Sequence, residues 1–252
     1  MANELQLREE DYASLLIILR QVRDAVDCEI AICGSVAQRA LLPDFAKEKA
    51  GMPLSDIDFA LLGGTYDDCP VSPNIKNNFF ITDINPSHGS YYFGMTHKKS
   101  KMWVDLFSVK YPQNLTTIVI DGKRFKAVSM ESNSIYLARD FFCRIRAKMP
   151  LRQKWIDKLK WLTQQDILDW NAMEEEFANN RDYLLSDTAS VHPPKSAKEF
   201  VALAIEEASA HVGEARRKTS FFAQYPTDSV VTTNGIRIEN RLTFYLLKLK
   251  LL

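Results

Sequence analysis

Several things are scarce in this chain, and each shortage excludes a class. Among 252 residues there are four cysteines, Cys28, Cys33, Cys69 and Cys143. They form no CxxC pair, and no histidine stands at metal-ligand spacing from them. That excludes zinc-ribbon and thioredoxin-like readings; the four are expected to be buried thiols of a reduced, cytoplasmic protein. Long hydrophobic runs are missing too. The longest uninterrupted aliphatic stretch, Leu15 to Leu19, is far short of the ~20 residues that span a bilayer. The first ten residues hold no basic segment leading into an apolar run, so no signal peptide is expected. Net charge is zero, with 32 Lys+Arg against 32 Asp+Glu, which argues against coating nucleic acid by bulk charge. Internal repeats and low-complexity tracts are absent.

What is present is ordinary globular material, 46% hydrophobic and 25% charged, in a chain long enough for one or two cores. The zero charge is a cancellation. Residues 1–110 hold 11 basic and 15 acidic groups, residues 111–165 hold 11 and 4, and residues 166–252 hold 10 and 13. A basic middle lies between two acidic parts.

Apolar periodicity predicts a helix over 11–26, with Tyr12, Leu15, Leu16, Leu19, Val22 and Val26 on one face. A strand ending at Cys33 meets Gly34-Ser35, and a second amphipathic stretch, Val36 to Leu42, ends at Pro43. The polar stretch 44–54 reads as loop, Asp56–Leu62 as strand, and 65–78 as surface loop. Strand patterns follow at Phe79–Ile84, Tyr91–Thr96 and Met102–Val109. Thr116–Ile120 and Arg124–Val128 flank Asp121-Gly122, a strong hairpin signal. From Ser132 the pattern turns helical, with Pro193-Pro194 as its clearest break. The fold class expected is α+β, a mixed sheet with flanking helices over residues 1–130 and a mostly helical domain over 131–252.

Three carboxylates sit on apolar strands, where unpaired charge costs several kcal/mol to bury. Alternation puts Asp56 and Asp58 on one face, about 6.5–7 Å apart along the strand. Asp105 is flanked by apolar residues on a later strand. Three such groups converging would repel one another unless a hard divalent cation such as Mg²⁺ stood between them. The Gly34-Ser35 turn closes a strand and opens a helix, so its N–H groups and the helix dipole suit a phosphate. Metal-binding carboxylates facing a phosphate cradle are the apparatus of phosphoryl or nucleotidyl transfer.

The pattern Cys-Gly34-Ser35, then Ser-Asp56-Ile-Asp58-Phe, then Val-Asp105-Leu-Phe resembles the nucleotidyltransferase superfamily with the DNA-polymerase-β-like fold. The likeness spans about residues 28–109. It implies that Gly34 and Ser35 hold a triphosphate tail, and that Asp56, Asp58 and Asp105 ligate two Mg²⁺ ions, with Mn²⁺ as a substitute. Asp105 would also orient or deprotonate an acceptor hydroxyl, which attacks the α-phosphate and releases pyrophosphate. Two features depart from the pattern: Gln38-Arg39-Ala40 stands where many relatives carry a glycine, and the stretch from Ser35 to Asp56 is long. The second half is similar, loosely, to the helical region of standalone bacterial nucleotidyltransferases of toxin–antitoxin and phage-defence systems, through Arg139, Arg144, Arg146, Lys148 and Asp157.

Arg39, one turn after Ser35, and Lys148, with Arg144 and Arg146 beside it, are further candidate nucleotide contacts. His88 lies on a turn-rich loop, and His97 with its lysines reads as a charged hairpin tip. Tyr91-Tyr92-Phe93 and Trp155, Trp161 and Trp170 read as packing residues. The expected donor is ATP and the expected acceptor a small molecule or a protein, with no membrane partner. The rival readings are a tRNA or oligonucleotide modifier, and an inactive protein that binds nucleotide or a partner.

Overall fold

The computed structural model describes residues 7–54, 56–62, 71–87, 90–109, 114–146, 151–164, 166, 168–186, 188, 193–218, 231–233 and 236–238. The chain divides into two units, Met1–Val128 with Thr227–Leu252, and Ser129–Pro226.

In the first unit, apolar residues at helical spacing make α1 (Glu9–Arg23), which buries Leu15, Ile18, Leu19 and Val22. The periodicity predicts a helix to Val26, but the helix stops at Arg23. The Ala25 N–H turns back onto the Val22 carbonyl at 3.0 Å, and Val26 leaves to bridge Val71. β1 (Ile30–Cys33), α2 (Gly34–Leu41) and β2 (Asp56–Leu61) follow. The stretch 44–54, expected to be loop throughout, begins inside a short helix, α3 (Pro43–Glu48). Pro43 presets φ in its first turn, where no hydrogen bond is lost.

β3 (Phe79–Ser87), β4 (Ser90–His97), β5 (Trp103–Val109), β6 (Leu115–Ile120) and β7 (Lys123–Val128) complete the sheet. Asp121 and Gly122 have φ of 50° and 68°, the left-handed pair that a two-residue hairpin needs. The strand order is β3-β4-β5-β2-β1-β7-β6. β2 runs antiparallel to β1 and parallel to β5 at the centre. The two faces of these strands differ in bulk. Ile57, Phe59, Leu61, Val104 and Leu106 fill one face and are fully buried. On the other, Ala31, Cys33 and Ala60 make a floor of small residues with Val128 and Leu62. α2 packs on β1, β2 and β6. A ribbon of β8 (Val231–Thr233) and β9 (Ile236–Ile238) groups with this unit.

The second unit is helical, with α4 (Met130–Arg146), α5 (Gln153–Thr163), α6 (Trp170–Asn179), α7 (Arg181–Leu185) and α8 (Ala197–Lys218). Its core is built on Phe200, whose ring centroid lies 5.3 Å from that of Phe142 and 5.4 Å from that of Phe177. All three rings are buried. Asp169 caps α6 by accepting the N–H groups of Asn171 (2.9 Å) and Ala172 (3.3 Å).

Two expectations are corrected. Cys28 is disulfide-bonded rather than a thiol; pairing depends on Cα separation in space, which spacing along the chain does not report. Cys33 and Cys143 are not disulfide-bonded, and Cys69 lies outside the described residues. His97, expected at an exposed tip, is only 3% exposed and packs 5.3 Å from the Phe79 ring. Its Nδ1 accepts the Ser100 N–H (3.2 Å) and lies 2.7 Å from the Ser100 hydroxyl, so the imidazole pins the β4–β5 turn. Among the described residues no helix is long and apolar enough to cross a membrane.

Candidate functional site

The site is built on the two central strands. Alternation along β2 leaves Asp56 and Asp58 half-buried while Ile57 and Phe59 between and beyond them are sealed. In the parallel pairing of β2 with β5, Asp58 stands directly opposite Asp105, and Asp56 opposite Trp103. Paired positions on neighbouring strands share a face and lie about 4.8 Å apart at the backbone. All three carboxylates therefore project from the side of the sheet that carries the small residues. Across β1, Cys33 is the partner of Asp58, so the chain leaves β1 for the Gly34-Ser35 turn beside that carboxylate.

Gly34 is required there for two reasons. Its φ is +60°, and a Cβ at this position would lie 1.6 Å from Asp58 Oδ2. Backbone and carboxylate are thus in direct apposition, and only a residue without a side chain fits. The hydroxyl of Ser35 donates to Asp56 Oδ1 at 3.4 Å, and the indole Nε1–H of Trp103 donates to Asp105 Oδ1. As the side chains stand, no three His, Cys, Asp or Glu among the described residues are grouped to hold one metal ion. The backbone and the donor chemistry suit a hard cation, while in this arrangement Ser35 and Trp103 draw two of the carboxylates toward protein donors. At 4 Å and an effective dielectric near 20, two carboxylates repel by about 4 kcal/mol, which favours such donors when no cation is near.

Three of the other expected contacts, Arg39, Arg144 and Arg146, have partners within their own units. Arg39 is 7% exposed, and its guanidinium donates to the carbonyls of Met52 (3.0 Å) and Pro53 (3.3 Å). Burial lowers its pKa from the ordinary value and Arg8 adds to this, while Asp11 and Asp56 pull it upward. Two buried atoms on this helix, Gln38 Oε1 and Arg39 Nε, have no hydrogen-bond partner. In the helical unit, Arg144 lies 4.6 Å from the Trp155 ring centroid and ion-pairs with Asp140, and Arg146 donates to the Ser186 carbonyl at 2.9 Å. Lys148 and His88 lie outside the described residues.

Sequence reasoning missed Asp11 and Trp103, although both left a signal. Asp11 falls on the stripe that α1 buries, four residues before Leu15, and is itself 4% exposed. Trp103 precedes Asp105 by two residues, which places it on the same strand face.

Neither a known family's sequence profile nor a curated protein matches the chain. One similar solved structure is an antigenic nucleotidyltransferase-like protein from Paracoccidioides brasiliensis, at 14% identity. The alignment covers 84% of this chain and 93% of that one, with a TM-score of 0.34. A likeness of that size decides nothing about the site, whose reading rests on the geometry above.

Proposed function

We propose that the chain is a nucleotidyltransferase that moves a nucleoside monophosphate, AMP from ATP in the first instance, onto a hydroxyl of a small molecule or protein. The observation that carries this reading is the register of β2 on β5, which sets Asp58 opposite Asp105 with Asp56 on the same face and the Gly34-Ser35 turn against them. The backbone N–H groups at the start of α2 suit a phosphate, and Ser35 can turn its hydroxyl from Asp56 to a phosphate oxygen. Asp56, Asp58 and Asp105 would hold Mg²⁺ or Mn²⁺, which supplies charge stabilisation at the reacting phosphate. Asp105 orients the acceptor hydroxyl and takes its proton as the oxygen bonds to the α-phosphorus. The bond to the bridging oxygen breaks, and pyrophosphate leaves.

The test is incubation of the full chain with each labelled NTP, Mg²⁺ or Mn²⁺ and fractionated metabolites, followed by mass analysis for an added NMP. Asp56→Asn with Asp58→Asn is expected to lower pyrophosphate release at least a hundredfold with unchanged circular dichroism. Equal release by the double variant refutes the site. A second reading, a protein that binds nucleotide without transferring it, draws on the contact of Trp103 with Asp105. Nucleotide binding that is indifferent to Mg²⁺, without pyrophosphate release, would favour it.

A further inference from the structure

We propose that Asp11 and Arg39 are positioning residues that clamp the run Met52-Pro53-Leu54 and thereby set where β2 begins, and with it the placement of Asp56 and Asp58. The inference rests on the transfer reading only for what those two carboxylates do.

Three consecutive residues are held by side chains from two helices. Arg39, on α2, donates to the carbonyls of Met52 and Pro53. Asp11, on α1, accepts the Leu54 N–H at Oδ2 (3.3 Å), and Arg8 in turn donates to Asp11 from Nε (2.8 Å) and Nη2 (3.1 Å). The run precedes the first residue of β2 by two positions. It has no β-ladder of its own: Pro53 lacks an N–H, and Met52 is 49% exposed. Beyond the Met52 N–H on the Lys49 carbonyl (3.0 Å) and the burial of Leu54, its path is held by these side-chain hydrogen bonds. The same helix that carries Arg39 opens with Gly34-Ser35, and Ser35 donates to Asp56. α2 thus ties the turn to the carboxylate strand twice, at Asp56 and just before it.

Energetics point the same way. Arg39 is buried with one guanidinium N–H unmatched, an arrangement that costs free energy rather than supplying it. Replacing a buried ion by an apolar side chain of similar volume is often neutral or stabilising. What Arg39 contributes is geometry, two carbonyls held by one rigid fork.

Hydrogen exchange on the full-length protein tests this, with Mn²⁺ as the probe of the carboxylates. Arg39→Met and Asp11→Asn are expected to speed exchange at Leu54, Asp56, Ile57 and Asp58 at least tenfold, leaving Ala31, Ile32 and Ala127 on β1 and β7 unchanged. In the same samples Mn²⁺ affinity, read by electron paramagnetic resonance, falls at least fivefold. Arg39→Lys, which keeps the charge but not the fork, gives intermediate values for both. Unchanged exchange at 54–58 overturns the proposal, as does equal acceleration in β1 and β7, which marks a merely structural role. Local acceleration with undiminished Mn²⁺ affinity overturns it too. If the wild-type protein binds no Mn²⁺, the transfer reading falls, while the exchange pattern alone still decides the clamp.

Discussion

The two units treat charge in opposite ways. In the sheet unit, acids stand on the central strands, on the face floored by alanines, held there by backbone register and by donors such as Ser35 and Trp103. In the helical unit, guanidinium groups are absorbed into packing. Arg139 lies 3.9 Å from the Tyr183 ring centroid, and Arg144 and Arg152 lie 4.6 and 5.3 Å from that of Trp155. Cation–π contacts of this kind contribute about 0.5–1 kcal/mol at exposed sites. The basic excess at the middle of the chain is thus partly a stacking device. The charge proposed for chemistry is placed by strands, and structural charge by rings and carbonyls.

That contrast can be broken at several points. The largest effect is expected in the helical core: Phe200→Ala removes the ring shared by Phe142 and Phe177 and should cost about 3–5 kcal/mol, read by urea denaturation followed by far-ultraviolet circular dichroism. Next is Gly34→Ala, which combines a left-handed φ with a Cβ driven into Asp58. A loss of about 2–3 kcal/mol and a fall in Mn²⁺ affinity are expected. Gly122→Ala, with φ +68° and nothing within 4 Å, is the control and should cost only about 1–2 kcal/mol. Arg144→Met should cost about 0.5–1 kcal/mol in thermal denaturation and leave pyrophosphate release unaltered. A marked loss of release would show that this cation serves chemistry and not only Trp155.

The smallest effect is a pH dependence. Burial lowers the His97 pKa from its ordinary value, and Lys99 and Lys101 add to this. The unfolded chain therefore takes up a proton at His97 near pH 6.5, before the folded protein does. Stability from this group is complete above pH 6.5 and is lost as pH falls through the folded value. The geometry agrees, since Nδ1 accepts the Ser100 N–H only while unprotonated. Urea midpoints from pH 7.5 to 5.5 should fall less steeply in His97→Gln than in the wild type.

Much of this was legible in the amino-acid order. The helix stripe of α1, the Asp121-Gly122 hairpin, the passage to helices after the last long strand, and the shared face of Asp56 and Asp58 all follow from local periodicity and turn chemistry. Those rules act over a few residues, so one sequence suffices to read them. Only the tertiary structure decided that Asp105 lies opposite Asp58, because register between strands distant in sequence is set by the whole sheet, and a one-residue slip would turn Asp105 to the other face. It also decided that Arg39 turns inward to Met52 and Pro53, that His97 is buried, and that Cys28 is bonded. A helix face or a loop residue acquires its partners only when other elements close over it, and no spacing along the chain records that closure.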